Sequence, residues 1–166
     1  TANLKAKKVT QLPLAGIPDG SYTVIVTSQE PLVAGIRTVQ DAVESGVPDP
    51  ASPVTGGDFT WTNSSSYLTE KILIPVPAGP APTVTFYNPA NKTAEITLSA
   101  QGQQDVKLSV KAGEMVTTPL ISANKYSATG VKGLVGGLTF TGPGIGSAIA
   151  LNPANVLGSP ITVYPR

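Results

Sequence analysis

Short runs in which apolar and polar residues alternate recur along most of the chain. The alternation is clearest in Ala94–Leu98 and Val106–Val110, and it is typical of a strand with one face in a core and the other in water. The runs that we predict as strands, in chain order, are Ser21–Ser28, Leu32–Gln40, Phe59–Thr62, Leu68–Pro75, Thr83–Tyr87, Thr93–Ala100, Val106–Val110, Met115–Leu120, Ser127–Thr129, Leu134–Thr141, Ser147–Leu151 and Ile161–Tyr164.

Glycine and proline separate these runs. The 166 residues include 17 Gly and 16 Pro, which is too frequent for long helices but suits short strands joined by tight turns. Many short strands at close spacing favour a sandwich over a fold with alternating helices and strands. We therefore predict an all-β fold made of Ig-like antiparallel β-sandwich modules, about two in number, the first of them truncated.

An internal repeat supports two modules. The same order of elements, a strand, a turn, a strand led by Tyr and a Leu-Val-small-Gly-aliphatic run, occurs at residues 9–36 and again at residues 116–138. This spacing is close to the size of one sandwich module. We predict a partial first repeat at residues 1–75 with a Pro/Gly-rich loop at 46–57, and a second repeat at residues 76–166. The Pro-rich stretch Pro75–Pro82 is either a linker between modules or an edge strand within one domain.

Composition and charge exclude several classes of partner. Charged residues make up only 13% of the chain and the net charge is +1, so the basic face that a nucleic-acid-binding protein needs is missing. The most apolar window, Gly130–Pro153, is interrupted by Lys132, Pro143 and many glycines, which a membrane-spanning helix would not tolerate. We expect no binding of nucleic acid and no membrane insertion.

The residues that most often carry chemistry are missing. The chain has no His and no Cys, which removes the commonest general base and the commonest metal ligands. Four acids, Asp41, Glu44, Asp49 and Asp58, could converge for hydrolysis or calcium binding, but acids in a Pro-rich segment are usually only solvated. Ser122 and Lys125 have the spacing of a Ser-Lys catalytic pair without its helical context. We predict no enzyme, no metal site and no cofactor.

The aromatic residues concentrate in one place, which is the candidate binding site. Trp61, Phe59 and Tyr67 lie near Asn63 and a run of serines. An exposed Trp with hydrogen-bonding neighbours is typical of a carbohydrate-binding surface. The other interpretation, which we favour from the sequence, places Trp61 in the end of the sandwich core, with residues 63–66 as a turn.

Several of these strands resemble a known family. The stretches Asp58–Trp61, Val84–Pro89, Ala94–Leu98, Val110–Glu114 and Pro31–Thr38 are similar to DUF5719, a group of secreted or membrane-anchored actinobacterial proteins of unknown function. The resemblance implies an extracellular or cell-envelope location and a longer parent protein with an anchor outside this fragment; it supplies no activity and no site residues.

The expected function is therefore that of a non-enzymatic structural or interaction module in a secreted or cell-envelope bacterial protein. Its expected partner is a protein or a cell-envelope glycan. The alternative is a carbohydrate-binding module that uses the Trp61 region.

Overall fold

Ten strands form the regular structure of this chain, which is available as a computed structural model and is described here for residues 4–14, 16–18, 20–40 and 58–153. No helix occurs in those ranges. The strands are β1 Gly35–Gln40, β2 Asp58–Asn63, β3 Lys71–Val76, β4 Thr83–Tyr87, β5 Ala94–Ala100, β6 Val106–Val110, β7 Met115–Pro119, β8 Asn124–Thr129, β9 Val135–Gly142 and β10 Ile145–Leu151.

Eight of these strands form two four-stranded antiparallel sheets. One sheet has the order β10-β9-β4-β7 and the other the order β3-β8-β5-β6. The remaining strands, β1 and β2, pair only with each other and make a two-stranded antiparallel ribbon. The chain crosses repeatedly between the two sheets, so strands that are neighbours in sequence often lie in different layers. The all-β, antiparallel sandwich prediction is confirmed.

The apolar faces of the two sheets form one core. In β3 the buried side chains are Ile72, Ile74 and Val76, and in β4 they are Val84 and Phe86, as a side-chain period of two requires. The other buried apolar residues are Leu68, Ile96, Leu98, Val110, Leu120, Tyr126, Ala128, Val131, Leu134, Leu138, Phe140 and Leu151. Burying each large apolar side chain contributes about 1.5–3 kcal/mol, so this cluster stabilises the sandwich.

Most predicted strands are found, and two have the predicted bounds, Thr83–Tyr87 and Val106–Val110. The strand prediction for Ser21–Ser28 is wrong, because this segment has no ladder partner in the described part of the chain and carries no strand. Alternation gives a side-chain pattern, but a strand also needs a neighbour for its backbone hydrogen bonds. The predicted strand Ile161–Tyr164 and the loop at 46–57 lie outside the described residues.

The Pro-rich stretch belongs to the sandwich. Pro75 lies in β3, the end strand of its sheet, and pairs with Lys125 of β8. A proline is tolerated there because its missing N–H faces away from the ladder. Pro82 accepts a hydrogen bond from the backbone N–H of Leu120 at 2.8 Å. Pro75 and Val76 therefore lie in an edge strand, and the rest of the stretch connects β3 to β4. Because β3 crosses the predicted module boundary at residue 75, the sandwich begins before it; the division into two repeats stays a prediction.

Candidate functional site

The β1–β2 ribbon presents an aromatic face to solvent. Alternate residues of β2 point the same way, so Phe59, Trp61 and Asn63 share one face, and all three are exposed. In the register of the ribbon Arg37 lies opposite Trp61, and Val39 lies opposite Phe59. Directly opposite residues of an antiparallel pair share a face. We call these five side chains the ribbon platform.

Within the ribbon platform, Arg37 and Phe59 are in contact. The guanidinium carbon lies 5.9 Å from the centroid of the Phe59 ring, within the range of a cation–π interaction. The two residues are diagonal neighbours across the strands, since Phe59 is two positions from Trp61, which lies opposite Arg37. The contact holds a positive charge over the Phe59 ring, opposite Trp61 in the ribbon.

Trp61 does not lie in the core. Its side chain is 60% exposed and that of Phe59 is 58% exposed, whereas the core aromatics Phe86 and Phe140 are buried. The interpretation that Trp61 fills the end of the sandwich is therefore wrong. The physical reason is that β2 joins neither core sheet. Its half-buried face instead consists of Thr60 and Thr62, which turn toward the sandwich.

The ribbon is anchored to the sandwich at both ends of β2. At its start, the N–H of Asp58 donates to the carbonyl of Gly144 at 3.2 Å, and the N–H of Gly146 donates to Asp58 Oδ2 at 3.1 Å. Beyond its end, the N–H of Ser66 donates to Asn152 Oδ1 at 3.1 Å. Because of these contacts, β2 lies beside β10 and runs parallel to it. The ribbon thus covers the end strand of a sheet, a position that is prone to unwanted pairing when bare.

A small cleft separates the inner face of the ribbon from β9 and β10. Its volume is about 80 Å³, and its lining includes the hydroxyls of Thr38, Thr60, Thr139, Thr141 and Ser147. That volume holds a few water molecules, but it is far below the roughly 300–1,000 Å³ of pockets for small organic ligands. A ligand of sugar size is therefore too large for this cleft.

Tyr67, the fourth residue predicted for the site, lies on the connection between β2 and β3 and not on the ribbon. Its side chain is exposed. The residues around it are fixed, because Leu68 is buried and pairs its backbone with Leu134 through an N–H···O bond of 2.8 Å. The structure therefore brings Phe59, Trp61 and Asn63 together on one face and places Tyr67 beside the ribbon's exit.

Two of the other candidate residues, Asp58 and Ser122, have structural roles. Asp58 accepts hydrogen bonds from the N–H groups of Phe59 and Gly146, while Asp41, Glu44 and Asp49 lie outside the described residues. Ser122 accepts the N–H of Gly79 at 2.9 Å, so its hydroxyl helps to hold the β3–β4 connection. Within the described ranges, no three His, Cys, Asp or Glu residues come close enough to hold a metal ion.

Two members of the ribbon platform, Arg37 and Val39, were missed by sequence reasoning. Both belong to the run Leu32–Gln40, which was predicted only as a strand. Which residues of β1 share a face with Trp61 depends on the antiparallel register between β1 and β2. An alternating pattern in each strand does not fix that register.

Comparison with known proteins identifies the family to which this chain belongs. A family model described as "Family of unknown function (DUF5719)" matches residues 1–126. The chain belongs to DUF5719. The part matched by DUF5719 includes the whole ribbon platform and ends within β8.

The comparisons with curated proteins and with solved structures give no further information about function. A search of curated proteins finds no match. A solved structure described as the crystal structure of Thermotoga maritima 1070 is 14% identical, covers 50% of this chain and 90% of its own, and has a TM-score of 0.37. No helix in the described residues is long and apolar enough to cross a membrane.

Proposed function

We propose that this DUF5719 chain is a non-enzymatic structural or interaction module of a secreted or cell-envelope protein, with the ribbon platform as its binding face. The observation that carries the proposal is the exposure of Phe59 and Trp61 on a ribbon that is anchored to the sandwich at both ends. Large aromatic side chains contribute strongly at binding surfaces because they bury much area at little conformational cost.

Rigidity supports the same proposal. The strand β2 is held at its start by hydrogen bonds to Gly144 and Gly146, and Ser66, three residues beyond its end, bonds to Asn152. The backbone that carries the aromatic rings is therefore in place before a partner arrives. A preorganised surface loses less conformational entropy on binding than a mobile one. The positive charge of Arg37 beside the rings favours partners that offer an acidic or hydrogen-bonding group at that point.

The test is co-sedimentation of the purified protein with an insoluble bacterial cell-envelope fraction. We expect the wild-type protein to sediment with the envelope and the Trp61→Ala and Phe59→Ala variants to remain largely in the supernatant. Leu73→Ala is the matched control, since Leu73 is an equally exposed apolar side chain on the outer face of β3. Equal sedimentation of all four proteins, or of none, would contradict the proposal.

A carbohydrate partner is the second candidate, and the exposed Trp61 with Asn63 on the same face favours it. Sugar rings stack on exposed indole faces while their hydroxyls bond to nearby amides. Digesting the envelope fraction with glycan hydrolases before sedimentation should then abolish binding, whereas digestion with a protease should not. The opposite result would assign the ribbon platform to a protein partner.

The location outside the cytoplasm and the lack of catalysis are parts of the proposal with their own tests. Fractionation of cells that carry the full-length protein should place it in the envelope or the medium. The purified chain should not hydrolyse envelope polysaccharides. Hydrolysis that is lost in an Asp58→Asn variant would overturn the non-enzymatic assignment.

A further inference from the structure

The outer face of one core sheet combines lysines with small hydroxyl side chains. In the sheet β3-β8-β5-β6, the residues of each strand alternate between the core and the outer face. On the outer face, the end strands β3 and β6 carry Lys71 and Lys107. The hydroxyl residues of the two middle strands on the same face are Thr97, Ser99, Ser127 and Thr129. Short side chains between longer ones leave a shallow trough along the middle of the sheet.

The register places two of these hydroxyls in line between the two lysines. Lys71 lies opposite Thr129, and Thr129 lies opposite Thr97. Thr97 in turn lies opposite Lys107. Directly opposite residues point to the same face, and we call these four side chains the Lys–Thr row. Neighbouring strands are about 4.8 Å apart, so the backbones of the two lysines are about 14 Å apart.

A cleft of ligand size opens at the Lys71 end of the Lys–Thr row. Its volume is about 450 Å³, and it is lined by Glu70, Lys71, Thr129, Gly130 and Lys132. This volume lies within the roughly 300–1,000 Å³ of pockets for small organic ligands, unlike the cleft of about 80 Å³ at the inner face of the ribbon. Lys71 and Thr129 belong to both the cleft and the row, so the two are continuous.

The charges of the cleft favour an anionic ligand of low charge density. Lys132 Nζ forms an ion pair with Glu70 Oε1 at 3.0 Å. Within the described ranges, neither Lys71 nor Lys107 forms an ion pair, so both ammonium groups can donate to an anionic ligand. The carboxylate of Glu70 repels anions, which disfavours densely charged chains such as nucleic acid or polyphosphate.

The remaining groups favour a ligand that is rich in hydroxyls. Threonine hydroxyls both donate and accept hydrogen bonds, and the Glu70 carboxylate accepts them. Sugar hydroxyls match these groups, and a sugar carboxylate matches a lysine ammonium group. An acidic sugar therefore satisfies both kinds of group in the cleft, whereas a neutral sugar leaves Lys71 without an anion.

We propose that the cleft and the Lys–Thr row form a binding site for an acidic polysaccharide, a sugar chain that carries carboxylates. Lys71 binds one carboxylate in the cleft. The chain then crosses the two threonines, and Lys107 binds a second carboxylate about 14 Å further along. None of these residues belongs to the ribbon platform, so this inference does not rest on the function proposed for that platform.

The test is an NMR titration of the 166-residue protein with tetragalacturonate at low ionic strength, with the neutral sugar maltotetraose as the comparison. We expect tetragalacturonate to shift the amide signals of Thr129 and Thr97, and added NaCl to weaken its binding. Lys71→Gln and Lys107→Gln should each weaken binding about two- to five-fold, as for exposed ion pairs. Lys92→Gln, which removes the same charge from an exposed position in the β4–β5 connection, is the matched control and should have no effect.

Four results would overturn the proposal. The first is that tetragalacturonate causes no shifts, and the second is that maltotetraose binds equally well. The third is an equal loss of binding in Lys92→Gln and Lys71→Gln, which would show attraction to the net charge and not to a site. The fourth is tighter binding of tripolyphosphate than of tetragalacturonate, which would assign the lysines to a phosphate ligand. Trp61→Ala should bind tetragalacturonate like the wild-type protein, so failure of this proposal is distinguishable from failure of the ribbon platform.

Discussion

Replacing Asn88 by Ala should destabilise the sandwich strongly, although the change removes only a small polar group. Asn88 is fully buried and lies directly after β4. Its Nδ2 donates to the carbonyls of Lys92 at 2.7 Å and Val110 at 2.8 Å, and its Oδ1 accepts the N–H of Ala90 at 3.0 Å. One side chain therefore satisfies backbone groups of both the β4–β5 connection and the end of β6.

The backbone of Asn88 extends this link to the other sheet crossing. Its N–H donates to the carbonyl of Glu114 at 3.0 Å, and its carbonyl accepts the N–H of Gly113 at 2.8 Å. Both β4–β5 and β6–β7 pass from one sheet to the other. Asn88 thus holds two crossings together at one end of the sandwich.

The size of the effect follows from these contacts. Each hydrogen bond contributes about 1 kcal/mol net, and a buried carbonyl left without a donor costs about 1–3 kcal/mol. The carbonyl of Val110 is buried, whereas the groups on Lys92 and Ala90 are only partly buried and regain water. We expect Asn88→Ala to lower the free energy of unfolding by about 3 kcal/mol and the melting temperature by roughly 10 °C.

The change in the free energy of unfolding is measured by urea denaturation, followed by far-UV circular dichroism. Tryptophan fluorescence is unsuitable, because the single Trp lies on the exposed ribbon and not in the core. Asn88→Asp, which keeps the shape but turns a donor into an acceptor facing two carbonyls, should cost at least as much. Asn91→Ala, an exposed neighbour in the same turn, should change stability by less than about 0.5 kcal/mol. A loss below about 1 kcal/mol for Asn88→Ala would refute the reasoning.

Three further substitutions test the core, a turn and the ribbon, one each. Phe86→Ala should cost about 3–5 kcal/mol in urea denaturation, because it empties a fully buried site; a loss near zero would contradict the assigned core. Gly130→Ala should prevent stable folding, detected as loss of the thermal transition, since φ is +75° and the added Cβ would overlap the carbonyl oxygen of Glu95. Asp58→Ala should speed amide hydrogen exchange at Phe59 and Gly146 while leaving β4 protected; equal acceleration in β4 would show that the ribbon does not loosen independently.

The sequence predicted the strands whose partners lie within the same sandwich. Val106–Val110 alternates cleanly, pairs with β5 and has the predicted bounds, so local pattern and tertiary contact agree there. Ser21–Ser28 is also rich in β-branched residues, but it forms no strand in the described part of the chain. The difference lies in the availability of neighbouring strands, which a local pattern does not contain.

The sequence identified residues of the candidate site but did not predict whether they are buried or exposed. Phe59, Trp61 and Asn63 were identified from aromatic concentration, yet the favoured interpretation placed Trp61 in the core. An alternating strand has the same pattern whether its apolar face meets a second sheet or solvent. Only the topology, which leaves β1 and β2 outside both core sheets, shows that these aromatic rings are exposed.

Trp61 lies on the exposed face of a ribbon that is hydrogen-bonded to the sandwich. Because the chain has one Trp, its fluorescence reports on this residue alone. We predict an emission maximum close to that of free tryptophan, efficient quenching by iodide, and a high steady-state anisotropy, since β2 is held at both ends. A blue-shifted emission that iodide does not quench would place Trp61 in the core and contradict the account.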